Sequence, residues 1–434
     1  MFLPLTGDDQ VLAPNRERHG DGPEARTAAA RCRSCGMVGL TPVLDLGMQP
    51  LANRLVDGHG AGSDELRFPL DLAFCRGCSL VQITQSVSPA LLFGEYPYFS
   101  SVIPSLVEHA RAIAVRLIAE RRLGPDSLVM EIASNDGYLL QHYRQAGVPV
   151  LGVDPARNVA AAAEARGIPT RCAFFGRALA AELVAAGHRP DVVHANNVLA
   201  HVPDLNGFVA GVAALIGTHG RLVTESPYVK DFLDGLEFDT IYHEHLHYYS
   251  LTALDRLFSR HGLVIEDVEH LDIHGGSLRL FVASAAVTRR GPAVRRLLED
   301  EQHWEVDALA TYADFGARVG RLGHQLVALL DRLKHQGATL AAYGASAKGS
   351  TLLNTFDIGR ERLDYIADAS PHKQGRLAPG THLPIVDPAR LTEDHPDYVL
   401  LLAWNFADEI LTQQTAYRQA GGHFILPIPT PRIV

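Results

Sequence analysis

The sequence contains no uninterrupted apolar run approaching the roughly 18 residues of a membrane-spanning helix. It also lacks an excess of basic charge. Its 39 Lys and Arg stand against 49 Asp and Glu, a net charge of −10, whereas a protein that tracks a nucleic-acid backbone needs the opposite balance. Cysteine is scarce, five in 434 residues, and a disulfide framework would be odd in a chain this long with no secretory pattern at its start. Residues 1–30 are polar, with Asp8, Asp9, Arg16, Arg18, Asp21 and Glu24, and read as a disordered tail. These absences point to a cytoplasmic protein with neither a nucleic acid nor a membrane as partner, and 434 residues are enough for two to four domains. No interface helix stands out, which favours a monomer.

Four of the five cysteines form two pairs, Cys32-Arg-Ser-Cys35 and Cys75-Arg-Gly-Cys78. A Cys-x-x-Cys turn presents two thiolates to one ion, and two such turns supply the four sulfurs of a tetrahedral zinc site. Four thiolates leave no open coordination position, so the zinc is expected to be structural. The competing reading, a redox dithiol, lacks a thioredoxin-like unit around either pair.

From Leu128 onward the pattern changes to buried apolar runs alternating with helical segments. Leu128–Ala133, Val150–Asp154, Pro169–Phe174, Asp191–Asn197 and Gly220–Ser226 read as strands, with helices over Leu139–Ala146 and Asn158–Arg166. Such alternation predicts an open parallel sheet with ligands at its carboxyl edge. Asp154 ends the second strand, where an acid can accept both ribose hydroxyls of a nucleoside. The loop after the first strand is not GxGxxG. It reads Glu131-Ile-Ala133-Ser-Asn135-Asp-Gly137 and resembles the first motif of class I S-adenosylmethionine (SAM) methyltransferases, with Ala133 in place of the first glycine. Strands at Leu263–Val268 and Ser277–Ala283 then form a sixth–seventh strand hairpin that matches the same family.

Residues Tyr242 to Tyr249 hold three histidines, one glutamate and three tyrosines. Proton transfer wants an imidazole, a carboxylate to orient it and phenols to hold a developing oxyanion. The bland alternative is a partly exposed aromatic helix start. His247 reads as structural or exposed. Beyond residue 286 the chain reads as helical over Ala293–Ala310 and Tyr312–His335. A second strand-to-helix unit follows, Ala338–Tyr343 into Gly344-Ala-Ser346-Ala-Lys348-Gly349, with a helix from Ser350. Small residues at such a turn let backbone amides reach a phosphate, and Lys348 adds charge.

Taken together the motifs resemble one family, the zinc-containing sugar C-methyltransferases that act on nucleotide-linked 4-keto-6-deoxysugars in antibiotic deoxysugar pathways. Beyond the motifs above, the match is carried by Tyr96-Pro-Tyr98-Phe-Ser100-Ser101, Gly152-Val-Asp154-Pro155, Ala195-Asn196-Asn197 through His201, and His274-Gly-Gly-Ser-Leu-Arg279. The resemblance implies an α/β chain with an N-terminal zinc module (31–90), a central seven-stranded Rossmann-like SAM domain (91–286) and a second Rossmann-like domain (287–434) for the nucleotide sugar. It implies SAM as methyl donor, a TDP-sugar as substrate, and methylation at C3 through an enolate. Methylation at C5, or O- or N-methylation of a related natural-product intermediate, are the alternatives. In this scheme His245 is the base, Glu244 orients a neighbouring group, Tyr242 and Tyr96 hold the C4 oxygen, and His201 is a second proton-transfer candidate. SAM would contact Glu131, Ala133, Asn135, Gly137, Asp154, Pro155, Asn196 and Asn197. Phe174 and Phe175 flank the adenine or else pack the core, and the two asparagines otherwise cap the next helix. Tyr98, Ser101, His274, Arg279, Ser346, Lys348 and Lys373 are the substrate candidates.

Overall fold

The computed structural model describes residues 23–57, 65–93, 99–273 and 275–434, the side chains of Ala90 and Phe93 excepted. Tyr96, Tyr98 and His274 lie outside the described residues.

The central domain has the expected sheet. Its strand order is Leu263–Leu271, Ser277–Ser284, Arg221–Pro227, Val192–His194, Val129–Ile132, Val150–Asp154, Thr170–Cys172. Ser277–Ser284 runs antiparallel to both neighbours, and the remaining pairings are parallel. Helices cover both faces, so the inner strands are apolar throughout rather than alternating. Val129, Met130, Val192, Val193, Leu222 and Val223 are completely buried. An 18-residue helix, Pro104–Arg121, leads into the first strand with proline in its first turn, where the missing N–H costs nothing.

The zinc module is built on a four-stranded antiparallel sheet in the order Thr41–Pro50, Arg67–Phe74, Val81–Ile83, His247–Tyr248. The last strand comes from the histidine-rich segment, which is therefore not a helix start. Its Tyr248 and Tyr249 are buried. The module's Val56–Asp57 also pairs with Arg376–Leu377 of the C-terminal domain.

That third domain holds a six-stranded sheet in the order Ile385–Val386, Ile366–Ala367, Leu340–Tyr343, Tyr398–Leu401, His423–Leu426, Arg432–Ile433, parallel except for the last strand. The helix that precedes it, Phe315–His335, buries Val319, Leu322, Leu326, Leu330 and Leu333 along one stripe.

Three expectations need correction. Residues 23–29 of the supposed tail form a helix, and Arg26 holds it down through a bidentate contact with the buried Asp71, at 2.6 and 2.7 Å. The helix expected over Ala293–Ala310 ends at His303. Glu305 takes a left-handed conformation (φ 59°) and the Val306 N–H returns to the Glu301 carbonyl, a Schellman stop with no glycine to announce it. The helix expected from Ser350 begins at Ala347, capped by Ser346.

Candidate active site

The four cysteine sulfurs lie within 4.8 Å of one another, with Cys32–Cys78 and Cys35–Cys75 at 3.5 Å. Zn–S bonds of about 2.3 Å in a tetrahedron place sulfurs about 3.8 Å apart, so the set fits zinc. Three of the four are buried, and such a cluster needs a divalent cation to carry its thiolate charge.

At the carboxyl edge of the central sheet the loop after Ile132 contains three left-handed residues, Ala133 (φ 55°), Asn135 (φ 49°) and Gly137 (φ 80°). A side chain at Gly137 would sit 2.8 Å from Ile168 Cγ1, so only glycine fits. Asn is tolerated in this region, whereas Ala133 carries about 1–2 kcal/mol of strain. Asp154 clasps the loop. One carboxylate oxygen accepts the Asn135 N–H at 2.8 Å and the other the Ala156 N–H at 2.9 Å. Burial raises the Asp154 pKa, and the two amides partly offset this. Glu131 is wholly buried, and desolvation followed by the nearby Asp154 and Asp136 pushes its pKa well above the carboxylate range. Glu131 Oε2, Ser134 Oγ, Asp136 Oδ1 and Asn196 Oδ1 are buried without a hydrogen-bond partner among the described residues. Such a cluster of unsatisfied polar atoms is what a bound polar ligand or water would satisfy, and it fits SAM.

The other cofactor candidates divide. Pro155 is half-buried beside Asp154. Phe175 packs edge-on against Phe208, with ring centres 5.2 Å apart, and belongs to the core; Phe174 is 52% exposed, so its ring is open to a ligand. Asn197 is left-handed and donates its N–H to the Glu225 carbonyl. The short helical turn Leu199–His201 has no side-chain cap, so neither asparagine serves that purpose.

Tyr242, His245 and His201 converge, and Glu244 reaches them through its backbone carbonyl. His245 Nδ1 lies 2.8 Å from the Thr240 carbonyl, which can only accept, so this nitrogen carries the proton. The Nε2 lone pair then accepts from the Tyr242 hydroxyl at 2.9 Å, with the two rings 4.0 Å apart. The His201 ring meets His245 edge-on at 4.9 Å and donates from Nδ1 to the Glu244 carbonyl at 2.8 Å. Burial lowers the His201 pKa to about 4, so it is a neutral imidazole at pH 7. Glu244 is buried, and desolvation raises its pKa to about 7, while a hydrogen bond from Asn53 pulls it down. His243 and His247 are buried among backbone carbonyls and hold the segment in place.

The C-terminal domain reaches this segment. Thr351 donates to the Ile241 carbonyl at 3.0 Å, and the Trp404 indole N–H to Asp239 at 2.7 Å. Lys348 Nζ sits 4.6 Å from the centre of the Trp404 ring, within electrostatic reach of Glu237 and Asp239, and has no hydrogen-bond partner among the described residues. A small cavity beside Ser346 is lined by Ala52 and Leu55 of the zinc module and Ala345 and Ser350 of this domain.

Other substrate candidates sit elsewhere. Arg279 is buried and pairs with Glu225 at 2.7 Å and Glu269 at 3.0 Å, with His109 also at 3.0 Å. It is a structural cation of the sheet rather than a ligand for substrate. Ser101 donates to Asp136 on the SAM loop at 2.5 Å. Lys373 is tied to the Ala345 carbonyl and to Asp368, at 3.0 and 3.2 Å. In the other direction, Asn53, Asp239 and Trp404 enter the site although no motif marks them.

Three family models match in succession: a zinc binding domain over residues 32–93, a methyltransferase domain over 106–268 and a C-methyltransferase C-terminal domain over 272–429. The chain is 38% identical over 404 residues to the C-methyltransferase NovU of Streptomyces niveus, covering 93% of this chain and 96% of that protein. It belongs to the C-methyltransferase family. A ubiquinone biosynthesis O-methyltransferase of Rhodopseudomonas palustris is 30% identical over 95 residues, 22% of this chain and 38% of that one. The SAM-bound magnesium protoporphyrin IX methyltransferase of Synechocystis aligns over 41% of this chain and 79% of its own, at 16% identity and a TM-score of 0.32. This C-methyltransferase thus joins a SAM-binding sheet and a structural four-cysteine zinc site to a C-terminal domain of its own family. Among its described residues no helix is long and apolar enough to cross a membrane.

Proposed function

We propose that the protein methylates C3 of a TDP-linked 4-keto-6-deoxysugar in antibiotic deoxysugar biosynthesis. The observation that carries this reading is the His245 arrangement, with Nδ1–H anchored on the Thr240 carbonyl and the Nε2 lone pair turned to Tyr242. O- or N-methylation needs one base but no clamp for an enolate. Carbon alkylation next to a ketone needs both.

In this reading the substrate's C4 carbonyl takes the place of His245 Nε2 as acceptor for the Tyr242 hydroxyl. The freed Nε2 removes the C3 proton, and the electron pair moves onto the C4 oxygen held by the phenol. One such donor contributes about 3–4 kcal/mol to the transition state. The Glu244 carboxylate accepts a sugar hydroxyl, and neutral His201 packs against the base. The Asp154 loop would hold SAM, whose sulfonium would give its methyl group to C3 and leave as the neutral thioether. The diphosphate lies at the start of the Ala347–Thr355 helix with Lys348, so that the sugar points toward Glu244.

The test is product structure. The protein is given TDP-4-keto-6-deoxyglucose and SAM with a 13C-labelled methyl, and carbon–proton correlation NMR locates the label. A methyl bonded to C3 is expected. A label at C5 would keep the enolate chemistry and move its site. A label on oxygen or nitrogen would overturn the reading.

A further inference from the structure

The zinc module does more than staple the N-terminus. Between its first and second strands, Leu51 and Ala52 are buried, and the chain continues to Val56–Asp57, which pairs with Arg376–Leu377 of the C-terminal domain. Arg376 fastens the same segment through the Leu55 carbonyl at 2.9 Å and Asp57 at 3.0 Å. Residues 51–57 are therefore a strap held at both ends. Between its anchors the Asn53 side-chain amide donates to both carboxylate oxygens of Glu244, at 2.8 and 3.0 Å.

Glu244 is 4% exposed and its carboxylate meets no cation among the described residues. The titratable groups beside it are Tyr242, His243 and His245 on its own segment, and His201, which meets Glu244 at the backbone carbonyl. A neutral amide that donates to a buried carboxylate favours the ionised form without supplying a proton. It also fixes the plane of the carboxylate, and so the direction of the lone pairs left for a substrate hydroxyl.

We propose that Asn53 is a positioning residue for the transfer: its amide fixes Glu244 in the orientation and charge state that receives the sugar, so the zinc module is part of the active site. This rests on the reading of Glu244 as a substrate-contacting carboxylate.

The test follows the Glu244 carboxyl directly. Infrared difference spectra between the wild type and Glu244→Gln isolate its C=O band, and a pH titration gives its midpoint. Asn53→Ala is expected to raise that midpoint by about one pH unit, and Asn53→Asp, similar in size but anionic, to raise it further. The acidic limb of kcat should move with it, so that Asn53→Ala loses roughly tenfold activity below the limb and recovers at high pH, while KM for SAM stays constant. Zinc content and thermal stability near wild type certify that each variant is folded. If either folded variant keeps the wild-type carboxyl midpoint, the proposal is wrong. If the wild type fails to turn over the 4-keto sugar, the proposed reaction fails, and the infrared midpoint still decides whether Asn53 sets the charge state of Glu244.

Discussion

The protein builds one clasp twice and uses it differently each time. In the central domain Asp154 ends the second strand and accepts the N–H of Asn135 in the preceding loop and of Ala156 two residues on. In the C-terminal domain Asp368 follows the strand Ile366–Ala367 and accepts the N–H of Ala345 and of Ser370, both at 2.8 Å. The geometry is the same, but the surroundings are not. Lys373 neutralises Asp368, whereas Asp154 has no such cation and its pKa is raised by burial. Among the described residues, the first loop is surrounded by buried polar atoms without partners, whereas the second has its helix capped by Ser346 and leaves Lys348 Nζ without a hydrogen bond, within electrostatic reach of Glu237 and Asp239. The C-terminal domain packs against the histidine-rich segment and the turn before it through Thr351 and Trp404.

The largest effect expected from this asymmetry is on SAM. Asp154→Ala removes two charge-assisted hydrogen bonds of about 1.5–3 kcal/mol each and should weaken SAM binding on the order of 100-fold or more by calorimetry. Asp368→Ala should leave SAM affinity within about threefold. Equal losses in the two variants would erase the distinction. The next effect is on the nucleotide sugar. Lys348→Met should weaken its binding roughly tenfold and leave SAM alone, in keeping with one charge-assisted contact. Unchanged sugar affinity would reduce Lys348 to a structural partner of Trp404.

A third effect is on stability against pH. Burial raises the Glu244 pKa to about 7, from about 4.3 in an unfolded chain. The folded state therefore favours the neutral acid. This contribution is complete below about pH 4 and is lost as pH rises through about 7. Glu244→Gln should accordingly melt close to wild type at pH 5 and above it at pH 8. A gap that shrinks toward high pH would contradict this carboxyl's environment. The smallest effect concerns Ala133. Ala133→Gly relieves its left-handed strain, offset in part by chain entropy, and should stabilise the protein by up to about 1 kcal/mol in denaturant melts. Ala133→Val should act in the opposite direction.

Much of this was legible in the sequence, for definite reasons. Strands buried on both faces are short continuous apolar runs, so the central sheet could be drawn from Leu128 to Ala283. Two Cys-x-x-Cys pairs have few other uses in a chain of this kind. The density of His, Glu and Tyr at 242–249 singled out the segment in which Tyr242, His245 and His201 meet. What escaped notice depended on tertiary contact. His247–Tyr248 is a two-residue strand with no periodicity to detect. Pro23–Ala29 is a helix because Asp71 fixes Arg26. Asn53 is a single amide in a loop whose partner lies 191 residues away. Arg279 was misread because it shares a motif with His274. On a strand neighbouring side chains alternate between faces, and its own face meets Glu225 and Glu269.

The central claim is that His245 removes a proton from carbon next to the ketone. Its most direct test is solvent deuterium wash-in, with TDP-4-keto-6-deoxyglucose incubated in D2O without SAM and exchange located by NMR, for the wild type and for His245→Gln. The account predicts exchange at C3 with the wild type and none above background with the variant. Exchange that persists at the wild-type rate in His245→Gln would contradict it.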